Sequence, residues 1–582
     1  MHASNLLPSL RGDLIGRLKR HARTALVAIG APLALAFATT GCTLKADVAA
    51  TGAAPGNTTH LWVSVEEVWL ATGADTPPES AAGWVKSVLP TPVTFDLATL
   101  TPATLTALAT AISVPAGTYR QVHLVTADSS DTLIASASAL GLASNSEISI
   151  TATDGTSTTT PLESPVRGAG ITIATDLVLA GSFDFGSSSS SSTNSTTGAA
   201  TPTRTTPSTK TATLAVTLDG ARDVLPYRYG TTTGYVLSPI ATVTDEKYAG
   251  AISGSIDPSA LAAGYGPIIV SAQVPAAGGS HHVIVQRRVV GSAGTFSLYP
   301  LPAPSSGTTS YDLVISSSGA ETVIVRGIPI SANPVTSPVV VQSTPLLLTA
   351  ATAVYANVSA QAVVLPGGAR VDFYQTFAAS GEIPYLIDSC ALDMLTKRLP
   401  GDSFALGGGP LNLGNYAGGN SIAFATVAPV EGQGGFVIGT EGAYRSDALA
   451  AAPSVINGIV GAPTPVLPPF PAVAAGGSAG TIALTLTAPA GEFDSGFVII
   501  AAGNRVVETV NVGTLLNAGG GTINIVNLPA GRALAPTAGV PYQLSVRAWN
   551  STSAAASLVR VATTSSTVLG DAARASAAID LP

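Results

Sequence analysis

The feature that most constrains this fold is an alternation. In the segment 60–70, HLWVSVEEVWL, Leu61, Val63 and Val65 alternate with Trp62, Ser64 and Glu66. A period of two sends every second side chain to one face of a half-buried strand. Short apolar segments bounded by Gly, Pro, Ser and Asn recur to the end of the chain. They predict strands at 84–89, 118–126, 171–185, 212–218, 268–274, 282–290, 295–298, 311–316, 321–326, 355–364 and 370–376, and again at 481–487, 496–500, 505–512, 522–527 and 542–549. Such a pattern predicts an all-β chain of serial β-sandwich domains, Ig-like or transthyretin-like. One short helix is expected in the first domain, over 101–112. There Thr101-Pro102 supplies a cap and a first-turn proline, and Leu105, Leu108 and Ile112 follow at helical spacing.

With 582 residues the chain is too long for one core. Residues 1–41 read as a signal peptide and 42–58, small and polar without a period, as a flexible tether. A β domain follows over 59–246. It is interrupted at 186–211 by a Ser/Thr-rich run with nothing to bury, expected to be a disordered loop. Further sandwiches are expected at 247–350, 351–452 and 479–582, with a Pro/Gly linker at 453–478. Three turns carry the same device: Pro115 before Tyr119, Pro302 before Tyr311, and Pro529 before Tyr542. Their repetition suggests modules of one kind.

The signal reading rests on Lys19, Arg20 and Arg23, an apolar run from Ala25 to Ala38, and small residues leading to Cys42. This is the form of a lipoprotein signal, in which the Cys42 thiol takes a diacylglycerol and becomes the new amino terminus. An uncleaved anchor and an ordinary secretory signal cut near Gly41 remain alternatives. The apolar run falls short of the roughly 20 residues a spanning helix needs. Thr43, rather than Asp, follows the cysteine, so the outer membrane is the expected destination. Cys390 then has no disulfide partner in the chain, which holds two cysteines. Charged residues are 10% of the total, against about 25% in ordinary domains. The net charge of -8 leaves no basic footprint for nucleic acid.

Several segments carry a family resemblance over residues 59 to about 244. Gly83-Trp84-Val85, Phe95-Asp96-Leu97 and the run from Pro115 to Val122 come first. The run 165–171 (PVRGAGI), Leu218 to Arg222 and Tyr235 to Ile240 follow in the same order. The series resembles domain-of-unknown-function family 4382, found in exported bacterial and archaeal lipoproteins. The resemblance implies an architecture and an address and lends no activity. Residues 57–60 (NTTH) stand where that family opens with Thr-Asp-Ala-Pro. Further on, Gly250 to Ile256, Gly294 to Leu298 and Tyr311-Asp312-Leu313 resemble a carboxypeptidase-regulatory or transthyretin-like sandwich. A shared fold carries no enzymatic activity with it.

Candidate chemistry is sparse. Gly476 to Gly480 fits Gly-x-Ser-x-Gly, but a nucleophile elbow needs a strand before it and a helix after it, and here a Pro-rich run precedes and a strand follows. His281 and His282 are neighbours on a strand and so face opposite sides, and they read as exposed hairpin histidines. Asp128 and Asp131 could take a hard cation, with a solvated turn as the plainer reading. Cys390, near Asp388, Asp393 and Lys397, reads as packing rather than as a nucleophile. Trp62, Trp69 and Trp84 are core residues or, if exposed and coplanar, a sugar platform. No cofactor, metal or catalytic residue is expected. The reading is a non-enzymatic cell-envelope lipoprotein with lipid on Cys42, presenting β modules for structure or binding. Its partners would be the membrane and an envelope protein or glycan. A carbohydrate or cell-wall-polymer binding module is the alternative, and a hydrolase the weakest one, because the chain's six histidines are scattered.

Overall fold

The computed structural model describes residues 43–74, 76, 82–100, 105–151, 155–179, 211–276, 279, 281–332, 337–356, 368–375, 382–396, 404–407, 411–419, 422–427, 436–441, 455–456, 459–460, 479–531, 539–553, 558–562, 566–570 and 573–582. Strands dominate these residues. The first domain contains β1 (Thr43–Ala53), β2 (Thr58–Ala71), β3 (Trp84–Asp96), β4 (Thr106–Pro115), β5 (Gly117–Thr126), β6 (Glu147–Thr151), β7 (Ser157–Glu163), β8 (Ile171–Leu179), β9 (Thr211–Asp219), β10 (Val224–Tyr229), β11 (Thr232–Leu237) and β12 (Ala241–Asp245). One sheet runs β12-β9-β1-β4 and the other β10-β11-β7-β6-β2-β5-β8, with β3 beside β2.

The core lies between these two sheets. Leu61, Val63 and Val65 of β2 face it, and so do Val68 and Leu70 after the phase has slipped by one residue. The slip is a bulge: the register with β3 and β5 shifts between Val65 and Glu67. An extra residue at Glu66 turns two out-of-phase alternations into one inward face.

Two expectations are corrected here. The expected tether is strand β1, an inner strand that pairs in parallel with β9 and antiparallel with β4. Leu44, Ala46, Val48 and Ala50 are buried, while Lys45 and Asp47 are half-buried. Small side chains carry this alternation, and its period is hard to see in a run of Ala, Thr and Gly. The expected helix over 101–112 is strand β4 across its described part. Leu108, Ile112 and Val114 are buried against β1. A spacing of four satisfies a strand as well as a helix, and pairing with β1 decides between them. The helical turns of this domain are elsewhere, at Ala135–Ala139 and Gly220–Asp223.

The second module contains β13 (Ala249–Asp257), β14 (Ile269–Pro275), β15 (His282–Val289), β16 (Thr295–Pro302), β17 (Thr309–Ser316), β18 (Val323–Ile330), β19 (Val339–Val340) and β20 (Leu346–Leu347). The sheet β16-β13-β19, with β20 on β13, faces the sheet β15-β14-β17-β18 across a core of Ile252, Val270, Leu298, Leu313 and Val325.

Beyond it come β21 (Val354–Ala356), β22 (Arg370–Gln375), β23 (Tyr385–Ala391), β24 (Phe404–Leu406), β25 (Leu411–Asn415), β26 (Ala423–Val427), β27 (Phe436–Glu441) and the two-residue pair β28 (Val455–Ile456) and β29 (Ile459–Val460). Strand β25 joins β18 in parallel and brings β26 with it, so the second module's sheet continues past residue 350. Val314 and Ile324 of that sheet share a core with Val371, Phe373 and Ile387.

The last module contains β30 (Ala479–Thr487), β31 (Ser495–Ala502), β32 (Arg505–Asn511), β33 (Gly520–Pro529), β34 (Val540–Trp549), β35 (Val559–Ala562), β36 (Ser566–Val568) and β37 (Arg574–Asp580). The sheets β33-β30-β37 and β32-β31-β34-β35 enclose its core.

The three repeated turns share one hydrogen bond. Tyr119 donates its hydroxyl to the Pro115 carbonyl at 2.8 Å, Tyr311 to Pro302 at 2.7 Å, and Tyr542 to Pro529 at 2.6 Å. Each ring is buried. A buried tyrosine tied back to the chain a few residues upstream fixes a sandwich corner.

The modules are also packed on one another. Leu225, Tyr227 and Val236 of the first domain form one cluster with Met394 and with Phe497, Ile499, Val506 and Trp549 of the last module. The C-terminal module therefore sits against the N-terminal domain.

Candidate functional site

Buried ion pairs line the contacts between modules. Arg547 of β34, fully buried, donates from Nε and Nη2 to Glu163 Oε2 of β7 at 3.2 and 3.1 Å. Tyr227 donates to the other oxygen of Glu163 at 2.7 Å. Arg560 reaches both Glu163, at 3.3 Å, and Asp128, at 3.2 Å. Arg370 of β22 lies 3.4 Å from Asp223, and Arg505 of β32 lies 3.9 Å from the same carboxylate. Asp223 is fully buried, as a carboxylate can be when it is paired and hydrogen-bonded.

A cavity of about 700 Å³ opens where the first domain, the second module and the strand β23 meet. Apolar wall is supplied by Ile148 and Ile150 of β6, Tyr235 of β11 and Ile269 of β14. Two adjacent arginines of β15 also line it, Arg287 and Arg288, 3% and 8% exposed. Arg287 donates from Nε to Asp219 at 2.9 Å, and its Nη1 is 3.6 Å from Asp388. Its Nη2 has no hydrogen-bond partner among the described residues. Arg288 donates from Nη2 to Thr51 Oγ1 at 2.8 Å and from Nη1 to the Leu100 carbonyl. Its Nε has no partner, and no carboxylate pairs with it among the described residues. Burial alone brings the Arg288 pKa down to about 10. Burial pushes Asp388 up to about 6, against the pull of Arg287.

Cys390 lines this cavity as well. Burial, with the Asp388 carboxylate adding to it, pushes its thiol up to about 12. It is a neutral thiol at physiological pH and a poor nucleophile.

The other residues marked in the sequence serve the packing. His281 and His282, expected to be exposed, are buried at 8% and 4%. His282 stacks on Tyr385 at 3.9 Å and lies 3.4 Å from Asp312, while His281 meets the Tyr374 ring edge-on. They join the second module to Tyr374 and Tyr385, a role that strand alternation alone does not reveal. Asp128 is held by Arg560 and by Ser130, and Asp131 by Arg167.

Trp69 and Trp84 are tilted by 57° and close around His123, and Lys86 sits over the Trp69 ring at 3.7 Å. This is a folded cluster rather than a flat platform. Trp62 instead stacks on His60. His123 donates to or accepts from Thr172 at 2.7 Å, and burial lowers its pKa to about 3. Gly170, in the PVRGAGI run, has a φ of +60°, and a Cβ there would lie 2.5 Å from the Leu124 carbonyl and 2.7 Å from the His123 ring. Only glycine fits that approach.

Cys42, residues 476–478 of the Gly-x-Ser-x-Gly run, the Pro-rich run 463–471 and the Ser/Thr insertion up to residue 210 lie outside the described residues. Among the described residues, no group of three His, Cys, Asp or Glu is placed to hold a metal ion.

Sequence reasoning missed the inter-module arginines. In β34, Leu544, Val546 and Ala548 face the module core while Ser545 and Arg547 occupy the other face. That face reads as solvent, and a second module covers it.

A search of curated proteins finds no match. The crystal structure of a tetra-tandem repeat in the extending region of a large adhesion protein aligns at 11% identity over 90% of this chain and 99% of that one. Its TM-score of 0.09 carries no argument. Residues 47–198, beginning inside β1 and covering most of the first domain, match the family described as "Domain of unknown function (DUF4382)".

Proposed function

We propose that this chain is a non-enzymatic cell-envelope lipoprotein, held at the outer membrane by a diacylglycerol on Cys42. Its packed β modules form a platform for a structural or binding role. In this reading the second module is of the carboxypeptidase-regulatory or transthyretin-like kind, and the partners are the membrane and an envelope protein or glycan.

The observation that carries the reading is the use made of the charged groups. Glu163, Asp128, Asp223 and Asp219 are each committed to an arginine of another module. Charge here serves assembly. Strand β1 begins at Thr43, directly after Cys42, so a lipid on that cysteine would hold the first domain against the bilayer with no tether between them.

The test is mass spectrometry of the amino terminus from fractionated cells, with Cys42→Ser beside the native chain. A diacylglyceryl mass on Cys42, and release of Cys42→Ser from the membrane fraction, would support the reading. An unmodified terminus cut elsewhere would overturn it.

A further inference from the structure

The envelope reading gives the inter-module cavity no occupant. We propose that this cavity binds an uncharged, largely apolar molecule carrying one hydroxyl, which donates to Asp388 while the apolar body lies against Ile150, Tyr235, Ile269 and Val289. The inference goes beyond the envelope reading and stands whether or not Cys42 carries lipid.

Three observations meet at this place. The cavity of about 700 Å³ is within the range of small-molecule sites, roughly 300–1,000 Å³. Its wall keeps apolar surface open. Ile269 and Val289 are cross-strand partners on β14 and β15, and Ile150 and Tyr235 belong to the first domain. Val289 is 40% exposed and the other three are half-buried, so each keeps surface that its own module leaves uncovered. Water along such a wall lacks the two to four polar partners that hold it in place.

The third observation is an open acceptor. Asp388 Oδ1 accepts from the Ser389 backbone N–H at 2.7 Å and lies 3.6 Å from Arg287 Nη1. Oδ2 accepts no hydrogen bond among the described residues, and it is not sealed off, since the side chain keeps 18% of its surface accessible. A carboxylate oxygen has lone pairs for more than one donor. Burial pushes Asp388 up to about 6, and a charge-assisted bond from a hydroxyl would offset that loss of hydration.

The charges of the wall select against an ion. Arg287 lies between Asp219 and Asp388, and with Arg288 the two positive groups balance the two negative ones. A cation at Asp388 would meet Arg287 on the same carboxylate, and an anion would meet the carboxylate itself. A hydroxyl is repelled by neither. A sugar brings more hydroxyls than this wall can partner, and burying a hydroxyl without a partner is unfavourable.

The experiment is calorimetric titration of the full chain at neutral pH with octanol, beside its isomer heptyl methyl ether, which has no O–H, and beside octanoate and octylamine. Saturable octanol binding is expected, with the ether, octanoate and octylamine each at least tenfold weaker. Asp388→Leu should reduce the advantage of octanol over the ether to threefold or less. Ile269→Trp, which fills the cavity, should abolish binding in a protein that melts like the parent. Should Ile269→Trp not fold, Thr233→Trp in the same cavity wall serves instead. Four results would each overturn the proposal: no saturable octanol binding to the parent, any of the other three compounds as tight as octanol, an undiminished octanol advantage in folded Asp388→Leu, or undiminished binding to a folded cavity-filled variant.

Discussion

Replacing Arg547 separates a chain of loosely joined modules from a packed one. Its guanidinium makes two bonds to Glu163 and one to the Ser164 carbonyl at 3.1 Å, all across the contact between the last module and the first. Arg547→Met keeps most of the packed stem and leaves Glu163 with Tyr227 and Arg560 alone. Breaking a buried pair by removing one partner costs about 3–5 kcal/mol. Because Arg560 stays 3.3 Å from the carboxylate, the low end of that range, about 3 kcal/mol, is expected. Glu163→Met should cost a similar amount. The double variant should cost less than the sum by about 1–3 kcal/mol, since the second change removes a charge the first left unpaired. Urea unfolding of the four proteins measures this. A loss below about 1 kcal/mol for Arg547→Met, or simple additivity, would refute the buried contact.

Four more outcomes follow from the same geometry. His123 is neutral in the fold with a pKa of about 3, below the ordinary 6.5. Its contribution is therefore complete above pH 6.5 and lost as pH falls toward 3. At pH 4.5 the parent should have lost about 2–3 kcal/mol that His123→Phe has not, as read from unfolding at a series of pH values. Tyr542→Phe removes the 2.6 Å bond to the Pro529 carbonyl and should cost about 1–2 kcal/mol in denaturant unfolding. Gly170→Ala forces a Cβ onto the Leu124 carbonyl at a positive φ and should cost about 2 kcal/mol or more in the same assay. Cys390, with its thiol pushed up to about 12, should react slowly with iodoacetamide at pH 8 in the native protein and at an ordinary thiol rate in urea.

What could be read from the sequence was whatever a single module decides for itself. The strand of Leu61, Val63 and Val65 is where its alternation put it, and the three Pro-to-Tyr turns are corners with a shared hydrogen bond. Strand β1 escaped because Ala46 and Ala50 fill core positions with side chains too small to mark a period. The segment over 101–112 misled because Leu108 and Ile112 fit either period, and a partner remote in sequence, Ala46, settled which one. The arginines of the interfaces were illegible for a related reason. Arg547 alternates with apolar neighbours as a solvent-facing residue does, and only the approach of Glu163, 384 residues away, makes it a buried one. The cavity likewise has no sequence of its own, since its walls come from strands β6, β11, β14, β15 and β23.

The most direct measurement is the distance between spin labels at Val88→Cys on the first domain and Val526→Cys on the last module, in a background of Cys42→Ser and Cys390→Ser that leaves no native thiol to label. Both valines are well exposed, at 68% and 49%. Modules joined by the Arg547–Glu163 and Arg370–Asp223 pairs should give one narrow distance distribution, which Arg547→Met broadens. A broad distribution in the parent would mean that the modules move independently, and would contradict the packed assembly.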